Sequence, residues 1–124
     1  MFMRPEDAKD KRATDAMIIE NVDGLKMSDL TIKWAEEDAE PKWKSALVMK
    51  NVNDFEVRYF SGRQGLKNSN SPAIVLENIT EGQITESRAE AGCSTFIQMK
   101  EKEKANLFLR NNNTKKAKKE ISYV

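Results

Sequence analysis

A chain of 124 residues, 39% hydrophobic and 33% charged, suits one domain with a modest core. It contains no apolar run long enough for a helical membrane span, and residues 1–7 lack the apolar stretch of a signal peptide. A single Cys93 in a chain without histidine excludes an internal disulfide, the usual Cys/His zinc site and a Cys-His catalytic pair.

Formal net charge is only +1, but residues 1–40 carry 6 basic and 11 acidic side chains whereas residues 91–124 carry 8 basic and 3 acidic. The excess near the C-terminus is led by Lys115, Lys116, Lys118 and Lys119. No aromatic platform is interleaved with these lysines, so a solvated segment is expected there rather than a nucleic-acid surface. Cys93 is expected to be a buried structural thiol.

In chain order, residues 1–15 are polar and read as an N-terminal arm or cap, either a short helix after Pro5 or an extended segment. Three related stretches follow, Ala16–Leu30, Ala46–Phe60 and Ala73–Ser87, with a degraded fourth that runs from Thr95 to Met99 and from Ala105 to Leu109. Matching positions are 30, 27 and 23 residues apart, a period that points to stacked repeats. With a period of two, Met17, Ile19, Leu25 and Met27 share one side, and the same side recurs as Leu47, Met49, Phe55 and Val57 and as Ile74, Leu76 and Ile84. The fourth copy contributes Ile97, Met99, Ala105 and Leu107 to that side, with Glu101 in the asparagine position.

Asn21, Asn51 and Asn78 hold one place in the first three copies, each followed by Val22, Val52 or Ile79. Inward-facing asparagines at a bend can bond to the backbone and to the amide of the next coil, so these three are expected to stack. Variable segments separate the copies at 33–44, 61–72 and 88–94, as repeat architectures require of loops. Residues 114–124 read as a basic tail or a final strand. The fold class expected is all-β, a right-handed parallel β-helix (solenoid) of about four short coils over residues 16–113. An irregular antiparallel sandwich is the competing arrangement.

On these residues the chain resembles the pectin-lyase-like superfamily of right-handed parallel β-helix proteins, in particular the glycoside hydrolase family 28-like polygalacturonase relatives. Asn21, Asn51 and Asn78 fall where that superfamily carries its asparagine ladder. The Asn-Thr-Asp, Asp-Asp, Gly-His-Gly and Arg-Ile-Lys motifs of family 28 catalysis are all missing, so no catalytic residue is assigned. The resemblance therefore implies the C-terminal, noncatalytic coils of a carbohydrate-active protein, serving as scaffold or as a saccharide contact. It also implies a secreted or extracytoplasmic setting if a longer polysaccharide-degrading parent exists. A structural module that pairs through an open β-helix end, with itself or with upstream coils, is the alternative, and a small complete enzyme is a third.

Candidate saccharide contacts are Trp34 and Trp43, which can stack on a sugar ring if exposed or pack as a lid on the outer wall if not. Arg58, Arg63 and Gln64 are the candidate polar groups, since arginine can hold a uronate carboxylate with two parallel hydrogen bonds. Tyr59 and Phe60 are expected to be structural. Glu36, Glu37, Asp38 and Glu40 read as a solvated loop, because a shared loop does not place two carboxyls the about 6.5 to 9.5 Å apart that inverting hydrolysis needs. No cofactor or metal site is expected, and neither membrane nor nucleic acid is an expected partner. Exposed, coplanar tryptophans would favour saccharide binding, whereas buried tryptophans with an apolar end coil would favour assembly.

Overall fold

The computed structural model describes residues 2–3, 15–35, 37, 39–67 and 69–124. Its strands are β1 (Phe2–Met3), β2 (Met17–Ser28), β3 (Thr31–Ile32), β4 (Leu47–Arg58), β5 (Ser61–Gly62), β6 (Pro72–Thr85), β7 (Arg88–Ala89), β8 (Cys93–Met99), β9 (Leu107–Arg110) and β10 (Ala117–Tyr123), with a 3-10 helix at Glu101–Asn106 between β8 and β9. Every strand pairing is parallel. The long sheet runs β10-β8-β6-β4-β2, with β9 beside β6, and the short sheet runs β1-β3-β5-β7. The chain is thus a parallel β-solenoid of about four turns, as the repeat predicts. What would have been the N-terminal arm contains β1, and its residues 4–14 lie outside the described set.

Register follows from the repeat. Met17, Leu47, Ile74, Ile97 and Ile121 form one column, and Ile19, Met49, Leu76, Met99 and Tyr123 another. In the two middle coils these positions are closed to solvent, with Leu47, Met49 and Ile74 at 0% exposure. The end coils are less covered: Met17, Ile19, Leu25, Met27 and Leu107 pack against the core but remain half-buried.

Each long strand bends where a residue takes a left-handed backbone, and these residues also align. Asn21, Asn51 and Asn78 have φ of 59°, 55° and 52°. Gly24, Asp54 and Glu81 form a second column, and Asp29, Tyr59, Glu86 and Asn111 a third. An L-residue pays about 1 to 2 kcal/mol for this conformation, least for asparagine. Part of the cost is offset by the ladder: Asn51 Nδ2 donates to Asn21 Oδ1 at 3.0 Å and Asn78 Nδ2 donates to Asn51 Oδ1 at 2.6 Å. A neighbouring polar row runs beside it, with Asn53 Nδ2 donating to Asp23 Oδ1 at 2.7 Å and Thr80 Oγ1 donating to Asn53.

The asparagines stack as expected but do not face inward. All three are exposed, because the left-handed bend swings their side chains to the outside while Val22, Val52 and Ile79 take the inner positions. The fourth coil also departs from the sequence reading. Leu107 pairs with Gly82 and Leu109 with Ile84, two residues later than the copy alignment implies, and Ala105 is exposed. The 3-10 helix absorbs the two extra residues. Its Glu103 Oε1 accepts from the Ile79 amide at 2.9 Å, and Asn106 Nδ2 donates to the Ile79 carbonyl at 3.1 Å. Two side chains thereby replace the missing neighbour strand, and backbone groups that would otherwise be orphaned are satisfied.

Gly82 is required by its neighbour. A Cβ there would lie 2.2 Å from Phe55 Cζ, since the Phe55 ring fills the level that Gly82 vacates. Gly82→Ala is expected to lower stability by about 1 to 3 kcal/mol, as overpacking does, with the urea midpoint as the readout. At the ladder, Asn51→Val is expected to cost about 1 to 2 kcal/mol more than Asn51→Gly, because both lose the amide bonds but only valine opposes the left-handed bend. Equal losses for the two variants would show that the ladder bonds, not the bend, dominate.

Candidate functional site

After β5 the chain turns inward as Arg63, Gln64 and Gly65, and the loop between β3 and β4 folds over it with both tryptophans. Gly65 is needed because a Cβ would lie 2.5 Å from Trp43 Cβ and 3.1 Å from the Trp34 ring. The indoles are 5.3 Å apart between centroids and inclined by 43°, and only 6% and 7% of Trp34 and Trp43 is exposed. They are neither coplanar nor open, so they form the lid on the outer wall and offer no ring face to a sugar.

The polar candidates divide. Gln64 is fully buried and holds two levels together: Nε2 donates to the Leu66 carbonyl at 2.9 Å and to the Gly92 carbonyl at 2.8 Å, and Oε1 accepts from the Ser94 amide at 3.0 Å. Arg63 is 8% exposed, and its Nη1 donates to the Gln64 and Gly65 carbonyls at 2.7 and 3.1 Å, while its own carbonyl accepts from Trp34 Nε1 at 2.9 Å. These two side chains are fasteners of the loop rather than free ligand groups. Arg58 stands apart on the exposed side of β4, with its guanidinium 5.4 Å from the Tyr59 ring and 3.7 Å from Glu56. Tyr59 is half exposed, whereas Phe60 is buried against Phe96.

Beside this cluster runs an open groove of about 310 Å3, lined in part by Lys33, Trp34, Arg63, Lys67 and Glu90. Sequence reading missed Lys33, Lys67 and Glu90, since nothing in their spacing marks them as neighbours. Of the acidic loop, Glu37 and Glu40 are exposed, while Glu36 and Asp38 lie outside the described residues. Among the described residues no three His, Cys, Asp or Glu side chains gather in a way that could hold a metal ion.

The second candidate surface is the first coil. Strand β2 is the outer edge of the long sheet, with β4 on one side and no further strand of the chain on the other among the described residues. Its inner row of Met17, Ile19, Val22, Leu25 and Met27 is half-buried, whereas the same columns one coil on, from Leu47 to Val57, are at 0 to 2% exposure. Ile18 on the outer side is 53% exposed. An edge of twelve residues without an inward charge or proline is a template for pairing with another strand. The opposite end differs, as β10 carries exposed Lys118, Lys119 and Glu120.

Cys93 lies buried next to this architecture, and burial pushes its thiol up from 9.0 to about 11, against a smaller lowering by the Arg63 charge. The thiol is neutral in both folded and unfolded chains below pH 9. Above that the unfolded chain releases the proton while the native one keeps it to about 11, so stability falls through this window. Cys93→Ala is expected to flatten that part of the pH dependence, followed by urea unfolding at pH 8 and pH 10 in both proteins. At pH 8 a thiol reagent is expected to label Cys93 only when urea opens the chain. Gln64→Leu is expected to destabilise by about 3 kcal/mol, since it strands the Ser94 amide and two carbonyls. No family model, curated protein or solved structure matches the chain, so fold and site stand on their own geometry.

Proposed function

We propose that the chain is a structural assembly module that pairs through the open first coil of its solenoid. The observation that carries this reading is the half-buried row along β2 against the closed row along β4. Fully burying a large apolar side chain is worth about 1.5 to 3 kcal/mol, so five half-buried ones leave a sizeable unspent driving force at that end. The buried, tilted tryptophans favour the same reading, because they remove the stacking platform that saccharide binding would use. The resemblance to polygalacturonase relatives fits it too, with this chain as end-forming coils and a carbohydrate-active partner supplying the chemistry.

A second reading, contact with an acidic saccharide, rests on the groove beside Trp34, where exposed Lys33 and Lys67 stand with one carboxylate, Glu90, over the buried charge of Arg63. Titration with oligogalacturonate tests it, and Lys33→Glu combined with Lys67→Glu should then abolish binding. Absence of binding to the unaltered chain at millimolar saccharide removes this reading.

For assembly the measurement is amide hydrogen exchange. The β2 amides that turn away from β4 are expected to exchange orders of magnitude faster than those of β4 in dilute protein and to become protected when a partner docks. Ile18→Lys, an outward charge on the edge, is expected to leave monomer stability within about 0.5 kcal/mol and to abolish docking. If the outward β2 amides are as protected as those of β4 in a strict monomer, the end is covered and the proposal fails.

A further inference from the structure

The two ends of the solenoid are complementary steps. At the first end the short sheet runs one level ahead of the long one, because β1 pairs with β3 while β2 is still the long sheet's edge. At the last end the order is reversed. Strand β10 adds a level to the long sheet beyond β8, while the short sheet stops at an isolated bridge between Arg88 and Asn113.

We propose that the partner of the open first coil is the last coil of a second copy of this chain, in a head-to-tail stack. This rests on the assembly reading above and names its partner. In such a stack β10 of one copy and β1 of the next occupy the same level, one in each sheet. Register then follows from the columns already present: Ile121 falls beneath Met17 of the next copy, Ser122 beneath Ile18 and Tyr123 beneath Ile19. Counting back two residues along each strand, Asp15, Ser45, Pro72, Thr95 and Lys119 form a column with an acid at the top and a base at the bottom.

Charge supports the same polarity. The first coil exposes Glu20, Asp23 and Asp29 against Lys26, and the last coil exposes Lys115, Lys116, Lys118 and Lys119 against Glu120, so the two ends carry opposite net charge, with Lys119 beneath Asp15 as the direct pair. A head-to-head arrangement would oppose acid to acid, and tail-to-tail would oppose lysine to lysine. Apolar surface is available on both sides, with Ile18 at 53%, Tyr123 at 45% and Val124 at 70% exposure. Among the described residues no strand continues β9, so the stack keeps a slot one strand wide between Leu107 and Leu109 of one copy and Leu25 and Met27 of the next. The contact is therefore weak and concentration-dependent, and because it is heterologous it does not close on itself.

The test is disulfide trapping with Ile18→Cys and Ser122→Cys, two substitutions outside the buried core, checked for native circular dichroism. Mixed under mild oxidation, the two variants are expected to give a covalent dimer joined through positions 18 and 122. Each alone is expected to stay monomeric, and the chain carrying both is expected to give a ladder of covalent oligomers. Raising salt from about 0.05 to about 0.5 M should reduce trapping by about five-fold, since the opposing charges lie at the surface. Sedimentation of the unaltered chain across concentration should show the same salt-sensitive growth in mass. A dimer of Ile18→Cys alone, in equal yield to the mixture, overturns the head-to-tail stack while leaving β2 as a pairing edge. Absence of trapping together with a strictly monomeric chain also overturns it, and fast exchange at the outward β2 amides then assigns the edge to a different chain.

Discussion

Everything in this fold depends on the first three coils bending to the left-handed backbone region at the same places. A bend that recurs at Asn21, Asn51 and Asn78 fixes the phase of the strand on either side, so the apolar positions arrive in columns without further instruction. The bend is unfavourable for most L-residues, and the chain meets that cost by stacking. An asparagine that bends its own coil also bonds to the asparagine of the coil beneath, and an exposed Asp23, Asn53 and Thr80 row, two residues on and just ahead of the next bend, adds a second file of bonds. Loops between coils are freed from any part in register, which is why their lengths differ while the columns hold.

Stacking also makes stability a property of neighbours rather than of the whole. Coils two and three are closed on both sides, and their inner side chains are shut off from water. The first coil has the same residue types and half the cover. The fourth coil trades strand pairing for side-chain contacts at Ile79, and beyond it β10 closes the long sheet with a lysine-bearing edge. The first edge thus combines an apolar row with acidic side chains and the last edge carries lysines, and that difference gives the molecule a direction.

Much of this was written in the sequence in a readable form. The repeat, the parallel stacking and the apolar columns of the first three copies follow from residue type at fixed offsets, and so does the stacking of the asparagines. The outward direction of those asparagines was not legible, because it is set by the sign of φ at one residue and a period-of-two pattern carries no information about bends. The fourth coil misled for a related reason: a two-residue insertion wound into a 3-10 helix slips the apparent alignment, so Leu107 falls beside Gly82 rather than Ile84. The tryptophan cluster was the hardest to read. Trp34, Trp43, Arg63 and Gln64 are residue types that serve ligands and loop fasteners equally well, and only Gly65, with no room for a Cβ against both rings, hints at which. Lys33, Lys67 and Glu90 share a groove through three different turns of chain, a proximity no linear spacing encodes.

Glu103 and Asn106 have a consequence for how such a molecule can grow over generations. They imitate the peptide groups of a strand that is absent, capping Ile79 from below with one carboxylate oxygen and one amide nitrogen. A gene duplication that copied a coil between the second and third would keep every column intact, since both of its new faces would meet ordinary strands. The same duplication placed beyond the third coil would set a real strand against a level already occupied by its imitation, and two side chains would first have to be surrendered. The limit of this solenoid on that side is therefore recorded in two side chains, and lengthening is open between the middle coils and ahead of the first but not beyond the third.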